Sequence, residues 1–191
     1  MRMSQGVEWA LHCCHLLTGL PADASASSSQ LAEFYQLPAA YLSKHLQTLA
    51  RAGVMAALPG PQGGYRLARP ADQISVLDVV MAIEGTATLF RCTEIRQRVP
   101  VPGPPETYRN PCAIASVFAR ADEAWSRELS NVTIADLADT ASRNSAAAQK
   151  GAQSWLAAVT RSGSSKPSPA KSPRSTPKHT SKREGQGSDK S

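Results

Sequence analysis

Between Glu33 and Asp72 the chain carries no acidic residue, although Lys44, Arg51, Arg66 and Arg69 fall within that window. A stretch without negative charge suits contact with a polyanion, because nothing in it repels phosphate. Aromatic residues are scarce at 5%, so a core must be built chiefly from the aliphatic share of a 41% hydrophobic composition. No apolar run approaches the roughly 20 residues that cross a bilayer. The N-terminus also lacks the charged-then-apolar pattern of a secretion signal. These absences lead to the expectation of a cytoplasmic protein that does not touch membrane. In that compartment the four cysteines are thiols or metal ligands rather than disulfides. Neither a glycine-rich nucleotide loop nor a nucleophile–base pair is present, so an enzyme is not expected. Beyond Arg161 the chain is rich in Ser, Pro and Lys and, proline aside, has no apolar side chain larger than alanine, which predicts a disordered tail.

Charge is unevenly placed along the 191 residues. Residues 161–191 hold eight Lys/Arg against Glu184 and Asp189, which accounts for the whole net charge of +6. The remainder is neutral overall, so the acid-free window is a local feature and not a reflection of a basic total.

Apolar or small residues at 7, 10, 11, 14 and 17 predict a first helix over Val7–Thr18. One of Ser27 to Ser29 caps a second helix ending at Tyr35, and Leu37-Pro38 breaks it. A third helix runs from Ala39 to Ala52 with Leu42, Leu46 and Leu49 inward, and Gly53 stops it. Two strand-like pieces, Val54–Leu58 and Tyr65–Ala68, flank the turn Pro59-Gly-Pro-Gln-Gly-Gly64. Ser75 and Asp78 suit a capping box for a helix from Val76 to Glu84. Asn110-Pro111 opens a long helix to about Ser130, Thr133 caps a short one to Ala141, and residues 142–160 are at most weakly helical. The order is a winged helix-turn-helix: mainly α with a small β-wing.

In that plan the third helix enters the major groove. With the leucines inward, Ala40, Ser43, Lys44 and Gln47 point outward, where Gln47 can read adenine and Lys44 guanine or phosphate. The wing brings Gln62 and Gly63 to its tip, with Arg66 and Arg69 behind. The alternative is a helical hairpin and ribbon used only for packing. His45 is expected to be a phosphate or surface residue.

The segment from Leu37 to Pro70, above all Gly60-Pro-Gln-Gly-Gly-Tyr-Arg-Leu-Ala-Arg-Pro70, closely resembles the helix-turn-helix and wing of the IscR/NsrR (Rrf) family of bacterial regulators. The likeness continues through Ile74–Gly85 and Leu129–Leu137 and covers about residues 1–141. It implies a transcription regulator that forms a homodimer along the long helix and binds double-stranded DNA at a pseudo-palindromic operator. The implied organisation is a DNA-binding domain (1–85), a cluster-binding loop (86–110), a dimerisation helix with a short C-terminal helix (111–141) and a basic tail (142–191).

Many members hold an iron–sulphur cluster with three cysteines in the loop before the long helix. Here Cys92 and Cys112 match the first and last, but residues 93–111 contain no third. Glu8 and His12, spaced i, i+4, project from one face of the first helix. The pattern Gly6-Val-Glu-Trp-Ala-Leu-His-Cys-Cys14 with Cys92 and Cys112 resembles RsrR-type redox regulators within the family. That resemblance implies a [2Fe-2S] cluster on Glu8, His12, Cys92 and Cys112, with the helix and cysteine ligands from different subunits. Histidine in place of cysteine makes such a site less negative and raises its potential. A thiolate at Cys112 would be favoured if it were the second residue of the long helix. Trp9, beside Glu8, is a candidate for redox-coupled movement. Taken one by one, the four ligands also read as two small buried thiols and a surface pair. A cluster-free thiol or small-molecule sensor, or a redox-silent zinc site on the same donors, stays open. Cys13 and Cys14 are read as structural. The tail either adds non-specific phosphate affinity or only solvates.

Overall fold

A computed structural model of the protein describes residues 3–60, 63–85 and 90–164, with side chains as far as residue 160. Gln62 and the chain beyond Ser164 lie outside the described residues, as does residue 86–89 of the expected loop.

α1 (Gln5–Leu17) is buried on two sides, since Ala10 and the adjacent Cys13 and Cys14 are all fully shielded. α2 (Ser28–Tyr35) begins with a complete capping box: Gln30 N–H donates to Ser27 Oγ at 3.2 Å, and Ser27 N–H to Gln30 Oε1 at 2.8 Å. The box satisfies two N–H groups that the helix itself leaves unpaired. α2 ends at Gln36, whose φ of 53° turns the chain toward Pro38. α3 (Ala39–Arg51) follows, with Leu42, Leu46 and Leu49 fully buried. Such burial stabilises the domain by about 1.5–3 kcal/mol per leucine.

The wing is the antiparallel pair β1 (Met55–Leu58) and β2 (Gly64–Leu67), in a register that sets Met55 opposite Leu67 and Leu58 opposite Gly64. Tyr65 exchanges both backbone hydrogen bonds with Ala26, at 2.8 and 3.0 Å, and ties the hairpin to the entry of α2. A Cβ at Gly64 would lie 2.5 Å from the Ala26 backbone, so this approach requires glycine.

α4 (Val76–Glu84) and α6 (Ile134–Asn144) start side by side, each with a capping box, Ser75 with Asp78 and Thr133 with Asp136. Their entries are sewn together by Val76 N–H to the Val132 carbonyl and Ile134 N–H to the Ile74 carbonyl, both at 2.8 Å. Between them runs α5 (Ala113–Ser130), which has no buried residue within this chain. Its Trp125 and Leu129 pack on Val76 and Val80 of α4. Among the described residues, no helix is long and apolar enough to cross a membrane.

The C-terminal part departs from expectation. Residues 142–160, expected to be weakly helical at most within a mostly disordered tail, complete α6 and, with residues 161–164, form α7 (Ala146–Ser164). α7 is held because Leu156 is 3% exposed within the main core and Trp155 packs on Phe34 with ring centroids 4.6 Å apart. Two apolar anchors in an alanine-rich segment suffice where tertiary packing, not periodicity, stabilises the helix. Leu156→Ala should therefore destabilise the fold by about 2–5 kcal/mol. Urea unfolding followed by far-ultraviolet circular dichroism would show it, whereas an unchanged midpoint would mean that α7 is not part of the folded unit.

Candidate functional site

α3 turns its leucines inward and leaves Ala40, Lys44 and Gln47 exposed, with Ser43 half-buried beside them. Tyr41 on the same face is 61% exposed, and Lys44 Nζ stands 5.5 Å from its ring centroid. Sequence patterning overlooked Tyr41, because an aromatic residue beside a leucine stripe is normally assigned to the core. A cation held over an aromatic ring next to Gln47 offers charge, stacking and hydrogen bonding together.

The wing residues divide. Gly63 N–H donates to the Gly60 carbonyl at 2.9 Å and so belongs to the turn itself. Arg66 reaches back to the Ala22 carbonyl at 2.6 Å. Arg69 is committed internally, to Asp78 at 2.8 Å, the Gln73 carbonyl at 2.9 Å and the Gly53 carbonyl at 3.0 Å. Its guanidinium binds the base of the wing to α4, so its visible role is to fix the hairpin's angle.

Arg96 stands near both Cys92 and Cys112. This guanidinium pairs with Glu94 at 2.9 Å, donates to the Asn110 carbonyl at 3.2 Å and feels the charge of both thiols. Tyr108 closes the same loop: its hydroxyl donates to the Arg96 carbonyl at 3.2 Å and accepts from Gly103 N–H at 2.9 Å. Arg96 was invisible in sequence, because Arg91, Arg98 and Arg109 flank the same loop and spacing does not choose among them.

Both cysteines are half-buried. Glu94 N–H lies 3.4 Å from Cys92 Sγ. Cys112 is the N-cap of α5, two places before the position the sequence suggested, because its own ψ of 136° is not helical and the helix starts at Ala113. The nearby N–H groups of Ala115 and Ile114 hold its thiol pKa below the ordinary value, with help from Arg96, although the sulphur makes no side-chain cap hydrogen bond. Cys13 and Cys14 are the opposite case: burial pushes Cys13 up to about 12 and Cys14 higher still.

Glu8 and His12 are exposed on α1 and line one shallow cleft with Met3, Gln5 and Leu11. The Tyr35 hydroxyl donates to the His12 carbonyl at 2.8 Å. Among the described residues of one chain, no three His, Cys, Asp or Glu side chains converge as a metal site. The four candidate donors thus stand apart within one chain, two thiols on the loop and a carboxylate and an imidazole on α1. The loop half fits a cluster well, with two acidified or hydrogen-bonded thiols beside a cation. A single chain does not bring the α1 pair to it.

The other side of α1 meets the recognition helix. His45 of α3, expected at the surface, lies under Gly6, where a Cβ would come 2.5 Å from its ring, and edge-on to Trp9 at 6.1 Å between centroids. Gly6 permits this approach because it has no side chain.

A model of the Rrf2 family, described as an iron-dependent transcriptional regulator, matches residues 3–140. The chain is 31% identical to the HTH-type transcriptional regulator YwgB of Bacillus subtilis (strain 168) over 126 residues, 66% of this chain and 77% of YwgB. It is also 31% identical to the HTH-type transcriptional regulator YffB of Lactococcus lactis over 144 residues, 75% of this chain and 91% of YffB. Among solved structures, CymR, the global cysteine regulator of B. subtilis, superposes with a TM-score of 0.58 at 21% identity, covering 73% of this chain and 98% of CymR. IscR of T. potens superposes with a TM-score of 0.55 at 22% identity, covering 74% and 88%. These structural likenesses concern the fold. α7 lies beyond the family match.

The contrast among the cysteines is testable in metal-free protein. Iodoacetamide should modify Cys92 and Cys112 in the native state and reach Cys13 and Cys14 only after denaturation. A lowered pKa means that thiolate persists to lower pH, so the Cys112 rate should reach its plateau below the pH at which an ordinary thiol does. Peptide mapping by mass spectrometry reads both, and native labelling of Cys13 or Cys14 would contradict the packing.

Proposed function

The chain belongs to the Rrf2 family of transcriptional regulators, and from that premise we propose that it is a homodimeric DNA-binding protein whose operator affinity is set by a [2Fe-2S] cluster. Its family and relatives are regulators of transcription, not enzymes. The observation that carries the DNA-binding part is the exposed, acid-free face of α3, with Lys44, Gln47 and Tyr41 side by side. Two such helices related by a dimer axis address a pseudo-palindromic site, with half-sites about 34–36 Å apart or a multiple of that.

The dimer reading is supported by α5. Its apolar stripe is continuous, but only the Trp125–Leu129 end is covered by α4. At the other end Ile114, Val117 and Phe118 are 59%, 53% and 40% exposed. An uncovered stripe on a helix with no buried residue calls for a matching stripe on a second copy. Cys112 caps that end of α5, so a partner docked there approaches the thiol pair directly.

In the proposed site Cys92 and Cys112 of one subunit bind one side of the cluster, and Glu8 and His12 of the partner subunit bind the other. That these donors stand apart within one chain supports this division. When bound, the cluster supplies a one-electron redox centre. Arg96 and the N–H groups of Glu94, Ile114 and Ala115 stabilise negative charge on the sulphurs. The α1 side of the site is one helix thick. Glu8 and His12 are on its outer face, while Gly6 and Trp9 of the same helix touch His45 of α3. A shift of α1 that follows the charge at Glu8 would therefore be felt by the recognition helix. The acidified Cys112 would equally serve a cluster-free thiol sensor, and iron analysis separates the two.

Protein purified without oxygen should be red-brown, bleach with dithionite and contain two irons and two sulphides per subunit. Glu8→Ala, His12→Ala, Cys92→Ala and Cys112→Ala should each lose or shift that absorbance. A colourless, iron-free wild type would remove the cluster and leave the thiol sensor. Independently, Lys44→Ala and Gln47→Ala should each weaken operator binding by about 1–3 kcal/mol while leaving the melting transition in place. Equal affinity for wild type and both variants would exclude α3 as the reading helix.

A further inference from the structure

A cavity of about 290 Å³ lies between α1, α2, α6 and α7, partly open to solvent. We propose that it is a binding site for a neutral, flat organic molecule of about bicyclic aromatic size, carrying one or two hydrogen-bonding groups. This goes beyond the cluster reading and stands without it.

The charge balance of the lining sets the first condition. No Asp, Glu, Lys or Arg contributes to it. An ammonium entering there would lose water and meet no counter-charge, and an anion would meet only His12 and His15, of which His15 is pushed toward its neutral form by burial and by His12. A neutral ligand has no such cost.

Shape sets the second. Ala141, Ala148 and Ala152 make one wall of small side chains, and Phe34 and Tyr35 face the cavity from α2. Phe34 is itself locked edge-on to Tyr35 at 4.8 Å and against Trp155 at 4.6 Å, so the ring wall is pre-formed. A flat apolar body packs between rigid rings and a smooth helical surface with little loss of side-chain freedom. The volume is at the low end for small-molecule sites, roughly 300–1,000 Å³, which limits the occupant to a small one.

Polar groups set the third. His15, Ser142 and Gln149 border the cavity. The Ser142 hydroxyl donates to the Ala138 carbonyl at 2.8 Å, so its oxygen is oriented to accept from a ligand. The Gln149 carboxamide can both donate and accept. His12 and Leu156 also reach the cavity, so an occupant would touch α1 and α7 at once.

The test uses the full chain and 5-fluoroindole, followed by fluorine NMR, with indole-3-acetate as the charged counterpart. Saturable binding at about 1 mM or tighter is expected, with the carboxylate at least about tenfold weaker. Ala148→Trp, at an exposed lining position, should plug the cavity and weaken 5-fluoroindole at least about tenfold without shifting the melting temperature. If that variant does not fold, Gln153→Trp at another exposed lining position takes its place. Absence of saturable binding to wild type would overturn the proposal. So would equal binding by a folded plug variant, or equal binding of the carboxylate. None of these results depends on iron, so failure here leaves the cluster reading untouched.

Discussion

The molecule depends on a helix that is packed from two sides at once. α1 presents Gly6, Ala10 and Cys13 or Cys14 to its neighbours, all small, so α3 and α4 come close to its backbone. Close approach by small residues leaves little room for slack, because a displaced helix would open voids that the core does not tolerate. The remaining face of α1 is exposed and carries Glu8 and His12. One rigid rod therefore joins the recognition helix, the candidate sensor residues and, through His12 and His15, the cavity under α7.

The cysteine loop is built differently. It has little apolar burial and is organised by polar contacts that converge on Arg96, with Glu94, Asn110 and Tyr108 as partners. Such a loop is held by exposed hydrogen bonds and ion pairs, each worth little when screened by water. Local stability is accordingly lower than in the core, and the thiols lie where the structure yields most easily. A sensor placed there responds before the DNA-binding body does.

α5 connects the two regimes. One end rests on α4 and belongs to the fold. The other leaves Ile114, Val117 and Phe118 in solvent, with Phe118 stacked on Phe90 at 4.6 Å. The exposed end begins at Cys112, so the proposed dimer contact and the thiol pair are neighbours by construction. Under the proposed cluster reading, this adjacency accounts for donors that do not converge within one chain. Assembly of the second copy would bring the missing donors.

Much of this was legible in the chain itself. The leucines at 42, 46 and 49, the capping boxes at Ser75 and Thr133, and the glycine-rich turn are local patterns, and local patterns fix helices, caps and hairpins through backbone chemistry alone. The acid-free window and the resemblance between Leu37 and Pro70 identified the winged helix and its family. Besides Tyr41 and Arg96, three features were not legible, and each depends on residues far apart in sequence. Arg69 looked free for DNA until Asp78 and the Gly53 carbonyl met it; His45 looked exposed until Gly6 covered it. Leu156 looked like part of a tail until the core received it. Sequence determined the helices before α7, which turn is the wing and which residue types are available as ligands, because these follow from neighbours within a few positions. Only tertiary structure decided which charges are already paired, that Arg96 stands near both loop thiols, and that Glu8 and His12 do not join those thiols within one chain, because those depend on contacts that form when the helices pack.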